Sequence, residues 1–93
     1  MPKFLIQRDL PGAGNLTDDE LQAISAKSND VLAAMSPRAK WLHSYVTDDQ
    51  IICVYVADDE EAVLEHARGG GFPANRISRV ASVIDPATGE RAA

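Results

Sequence analysis

Apolar positions along this chain switch between two spacings, and each switch marks an element. Phe4, Leu5 and Ile6 form a short apolar run inside Lys3 to Arg8. The loop signal Asp9-Leu10-Pro11-Gly12-Ala13-Gly14-Asn15 closes it, so a first strand is expected there. Leu21, Ile24, Val31, Leu32 and Met35 then recur at helical spacing and make one apolar stripe. Thr17 suits the N-cap of that helix, and Glu20 three residues later completes a capping box. Leu16 and Leu21 match a hydrophobic staple, Asp18 and Asp19 complement the helix dipole, and Ser36-Pro37 stops the helix. From Lys40 to Val46 the period falls to two, Thr47 to Gln50 reads as a turn, and Ile51 to Val56 is β-branched and aromatic. The pair predicts a β-hairpin. A shorter helix follows, capped by Asp58 with Glu61 in reciprocal position and carrying Ala62, Val63, His66 and Ala67 along one face. Gly69-Gly70-Gly71 ends it, with one glycine expected in the left-handed C′ position. Ile77 to Asp85, with Val80, Val83 and Ile84, predicts a last strand that Asp85-Pro86 terminates.

Strand, helix, hairpin, helix, strand predicts an α+β domain of ferredoxin-like βαββαβ order. Two right-handed crossovers then build a four-stranded antiparallel sheet with both helices on one face. The domain is expected over residues 1–86, with 87–93 as a fraying tail. Side chains alternate along a strand, so Ile52, Val54 and Val56 share one face and Ile51, Cys53 and Tyr55 the other. The uniformly apolar set is expected in the core, together with Leu42, Ser44 and Val46. Trp41, His43 and Tyr45 would then face away. An odd-length loop at Asp48 to Gln50 would set Tyr45 opposite Cys53 and His43 opposite Tyr55, whereas a two-residue loop at Asp48-Asp49 would split the cluster. The odd loop is the expectation, because it keeps both polar-aromatic faces together.

Composition narrows the function classes. A formal charge of −5 and a pI near 4.8 disfavour the basic stripe of a nucleic-acid binder and docking on an anionic membrane surface. Cys53 is the only cysteine, which rules out an internal disulfide and a thiolate-rich zinc site. Residues Met1 to Asp9 lack the apolar core of a signal peptide, and no apolar run approaches the roughly 20 residues that span a bilayer. A cytoplasmic location is expected. Neither glycine cluster has dinucleotide-loop or phosphate-loop spacing, and no serine has the nucleophile-elbow context, so no enzyme class is indicated.

Three residues have metal-ligating chemistry. His43 and Cys53 on facing strands would make a soft-donor pair for nickel, copper or zinc. His66, near the C-terminus of the second helix, should reach the helix-covered side, where the dipole favours its protonated form. Only two histidines exist, so a full coordination shell would need carboxylates, water or a second subunit. Each residue also has a plain structural role open to it: His43 at the surface, Cys53 as a small buried apolar group, His66 as a hydrogen-bonded core histidine. Trp41, Tyr45 and Tyr55 could line a ligand cavity, or could pack the open sheet face against a second copy in a homodimer.

The runs Trp41-Leu42-His43-Ser44-Tyr45-Val46, Cys53-Val54-Tyr55, Glu65-His66-Ala67-Arg68, Gly71-Phe72-Pro73 and Val83-Ile84-Asp85-Pro86 occur in order behind Arg8-Asp9-Leu10-Pro11-Gly12. As a set they resemble the small bacterial proteins of domain of unknown function 4242, over nearly the whole chain. The resemblance implies a ferredoxin-like fold, dimerisation and nickel binding, with Cys53 and His66 at positions matching family motifs. Similar sequences often end the third strand with Glu-Ala-Pro, where this chain has Val56-Ala57-Asp58, so an acidic donor there would be missing. The leading expectation is a small non-catalytic protein binding nickel or another divalent transition metal through His43, Cys53 or His66. The alternatives are a dimeric α+β barrel that binds or oxidises a small aromatic or apolar molecule, and a plain dimerising module.

Overall fold

The computed structural model describes residues 1–91; the last two positions of the expected tail, 92 and 93, lie outside them. The elements are β1 (Lys3–Asp9), α1 (Asp18–Met35), β2 (Ala39–Val46), β3 (Gln50–Ala57), α2 (Glu60–Gly70) and β4 (Arg76–Arg79). Short 3₁₀ turns lie at Ala13–Asn15 and Pro86–Glu90. The sheet order is β2-β3-β1-β4 and every neighbouring pair is antiparallel. This is the α+β architecture that the order of elements predicts.

Local signals set the helix ends. The Thr17 hydroxyl accepts from the Glu20 N–H at 3.1 Å, and the Glu20 carboxylate accepts from the Thr17 N–H at 3.0 Å, which completes the capping box. In α2 the cap is Asp59, one residue later than expected; its carboxylate accepts from the Ala62 N–H at 2.9 Å. Asp58 is unavailable because its own N–H donates to the Arg38 carbonyl and so still belongs to the strand connection. Gly71 closes α2 at φ +68°, the left-handed conformation that glycine adopts without strain. A Cβ at Gly70 would overlap the Phe72 ring, so glycine there lets Phe72 fold back against the helix end.

The faces of β3 are the reverse of the expectation, while on β2 Ser44 and Val46 face inward and His43 and Tyr45 outward as expected, with Trp41 and Leu42 departing. The helix-covered core contains Phe4 and Ile6 of β1 and Ile51, Cys53, Tyr55 and Ala57 of β3, with Met35, Ala62 and Val63 from the helices. The aliphatic set Ile52, Val54 and Val56 lies on the opposite face beside Leu5, which pairs with Val54. Two local features cause this. The hairpin uses the two-residue loop Asp48-Asp49, since Val46 pairs with Ile51 and the Thr47 N–H donates to the Gln50 carbonyl. A β-bulge then inserts Leu42, so Trp41 pairs with Tyr55 while His43 pairs with Val54. Trp41, Ser44 and Val46 thus share the inner face, and His43 and Tyr45 are turned outward.

The last strand is also shorter than expected. β4 pairs only along Gln7 to Phe4, and the Val80 N–H makes the final bond to the Lys3 carbonyl. β1 begins at Lys3, so the chain beyond Val80 has no strand left to pair with. Val83 and Ile84 are accordingly 68% and 78% exposed. Asp85 then caps a 3₁₀ turn over part of the segment expected to fray.

Candidate functional site

A cavity of about 240 Å³, partly open to solvent, separates the first half of α1 from β2 and β3. Leu21 and Ile24 of α1 face it and stay half-buried, although they lead the apolar stripe of that helix. Small residues keep the space open: Ser25 and Ser28 on the helix, Ser44 on β2. The bulge supplies one wall, because it turns Trp41 inward, where its indole N–H donates to the Ser44 hydroxyl at 2.9 Å. Phe72 and Pro73, brought over by the glycine turn after α2, contribute another.

Arg8 is the one charged residue lining this cavity, and it is only 5% exposed. Its Nε–H donates to the Cys53 sulfur at 3.4 Å, and Nη1 donates to the Pro73 carbonyl. The guanidinium also lies over the Phe72 ring, 5.5 Å from its centroid. Nη2 is buried and has no partner. Among the described residues the ion pairs are Arg38–Glu65 and Arg68–Glu61, so no carboxylate neutralises Arg8.

Behind this wall His66 is fully buried, its Nε2 3.1 Å from the Ser28 hydroxyl, its ring between Tyr55 and Phe72. Burial first, then the positive charge of Arg8, lower its pKa from 6.5 to about 4, against the opposing effect of the Ser28 backbone. The ring is neutral at pH 7. The dipole of α2 was expected to favour the protonated form; burial and Arg8 outweigh it. Burial, with Cys53 as the second contributor, likewise raises the pKa of Tyr55.

The structure separates the residues singled out by sequence. Trp41, Cys53 and Tyr55 line the cavity. His66 stands behind it, as expected for the helix-covered side. Tyr45 is 60% exposed on the other face, edge-on to His43 at 5.1 Å. Tyr45 therefore does not line a common cavity with Trp41 and Tyr55, and His43 does not meet Cys53 as the odd loop required. Among the described residues no group of three or more His, Cys, Asp or Glu side chains could hold a metal ion. Cys53 and His66 also share the Arg8 guanidinium as a neighbour, which disfavours a cation between them. The donors present do not fit a metal site within one chain. Arg8 is the site residue that the sequence reading missed. Its signal was the period-two series Phe4, Ile6, Arg8, which places a charge on the buried side of a strand.

The family model described as nickel responsive protein SCO4226-like matches residues 4–80. The chain belongs to the SCO4226-like family. The matched span ends at Val80, the last residue bonded to β1. The expected resemblance to domain of unknown function 4242 is compatible with this family, although the matching model carries the SCO4226-like description. Among solved structures, SCO4226 from Streptomyces coelicolor A3(2) is similar, with a TM-score of 0.74 and 18% identity. The alignment covers 88% of this chain and 99% of that one, and at this identity it shows the shared fold. Comparison with curated proteins finds no match. No helix among the described residues is long and apolar enough to cross a membrane.

Proposed function

We propose that this SCO4226-like chain is a small binding protein that takes a compact apolar or aromatic molecule into the cavity between α1 and the sheet. The observation that carries the reading is the cavity itself, about 240 Å³ with a largely apolar wall that includes Leu21, Ile24 and Trp41. A water occupies about 30 Å³ in the liquid, so the space suits a ligand of roughly eight to ten non-hydrogen atoms. Pockets with mostly apolar walls and few polar groups are the common form of small-molecule sites. Trp41 is the only tryptophan and lines the wall, so it reports occupancy directly. Titration with neutral probes, toluene and 2-phenylethanol, should give a saturable change in Trp41 emission. No change with either probe up to their solubility would remove the cavity reading.

The family description favours a second reading, a response to nickel through direct binding of the ion. Within this chain the exposed imidazole of His43 is the donor best placed for it, with the remaining ligands drawn from a second copy. Such a copy would meet the sheet face away from the helices, where half-buried Leu5, Ile52 and Val56 lie on the same side as exposed Tyr45. Equilibrium dialysis with nickel checks this reading: uptake should fall in His43→Ala and persist in Cys53→Ala and His66→Ala. A cytoplasmic setting accords with the single thiol.

A further inference from the structure

We infer that the molecule held in the cavity is an apolar monocarboxylate, its carboxylate paired with the guanidinium of Arg8. The inference rests on the cavity reading above and names the chemical class of its ligand. Arginine keeps its charge at any pH a protein meets. At 5% exposure this charge has been taken out of water, and the groups around it, a cysteine sulfur, a carbonyl oxygen, an aromatic ring and the nearby Tyr55 hydroxyl, include no carboxylate. A buried charge without a counter-charge is unfavourable, and an anion beside it recovers much of that cost. Nη2 is the unfilled donor, and Arg8 lines the cavity.

The remaining surroundings narrow the class. His66 is neutral at pH 7 and hydrogen-bonded toward Ser28, so it adds no second positive charge. Nε and Nη1 are already engaged, by Cys53 and Pro73. A phosphate or sulfate ester would bring several acceptor oxygens to a guanidinium with one unfilled nitrogen. A carboxylate brings two and leaves the rest of the ligand apolar, as Leu21, Ile24 and Trp41 require. An arylacetate or a medium-chain fatty acid meets both the charge and the volume.

The test compares phenylacetate with phenylacetamide, and octanoate with octanamide, by Trp41 emission at neutral pH. The acids should saturate the signal at concentrations at least tenfold lower than the amides. Arg8→Met should erase that preference, leaving amide affinity within about threefold and the far-ultraviolet circular dichroism unchanged; Arg8→Lys should keep part of it. Acid and amide are compared on the unmodified protein, so the outcome does not depend on how well either variant folds. Equal affinities in the wild type would overturn the pairing with Arg8 and leave the cavity reading standing. An acid preference that survives in a folded Arg8→Met variant would also overturn it. No response to any of the four probes would overturn both.

Discussion

The two helices cover the same sheet face in opposite ways. Under α2 the layer is tight: Ala62, Val63, His66 and Ala67 are all buried in a helix of 11 residues. Under α1, with 18 residues, the buried positions are Ser28 and Met35, while Leu21 and Ile24 stand half-exposed over open space. The longer helix, with the stronger start signals, contributes less packing. Close-packed interiors are the norm, so a hollow kept open by serines on both walls reads as a site. The Ser28–His66 contact ties the hollow half to the tight half.

Substitutions in the two halves should therefore have unequal effects. Val63 of α2 is 2% exposed, and Val63→Ala should destabilise by about 2–3 kcal/mol in urea unfolding. Ile24→Ala should cost less, about 1 kcal/mol, because part of its side chain already faces the cavity or solvent. Equal losses would contradict the division.

His66 gives the tight half a pH signature. It titrates at about 4 in the folded chain, against an ordinary 6.5. Below pH 6.5 the unfolded chain takes up a proton that the folded chain refuses. Stability is thus full above 6.5 and falls as the pH drops toward 4, by up to about 3 kcal/mol. Unfolding measured against pH in wild type and His66→Gln isolates this contribution; parallel curves over that window would refute it.

Smaller effects sharpen the contrast from the α1 side. Thr17→Ala removes the capping box and should cost about 1 kcal/mol without altering Trp41 emission. Ser25→Leu fills part of the hollow with a better helix former, so stability should stay within about 1 kcal/mol of wild type or rise slightly. Binding of 2-phenylethanol should be lost in the same variant. Retained binding would place the probe elsewhere.

The sequence disclosed much of the fold. Both helices, the hairpin, the Thr17–Glu20 box and a left-handed glycine after α2 were legible because each depends on residues close in the chain. The faces of the hairpin were not. They turn on a two-residue loop and one bulged residue, Leu42, and each such detail flips every side chain beyond it. Aliphatic Ile52, Val54 and Val56 looked like core, yet the polar-bearing Cys53 and Tyr55 lie inside, where Arg8 and His66 surround them. The last strand failed for a different reason: β1 is too short to pair with residues beyond Val80. Trp41, Tyr45 and Tyr55 were singled out for a cavity on the open sheet face; the loop and the bulge instead turn Trp41 and Tyr55 toward α1 and leave Tyr45 outside. Arg8 was visible in the alternation of β1, but its meaning depends on the absence of a carboxylate beside it, which only the folded structure discloses.

Amide chemical-shift mapping tests the central claim most directly. Adding 2-phenylethanol to isotopically labelled protein should shift residues around the cavity first, from Leu21 to Ser28 and at Trp41, Ser44 and Cys53. The outward residues His43 and Val56 should move least. Shifts confined to that outer face, or spread evenly over the chain, would contradict a binding site between α1 and the sheet.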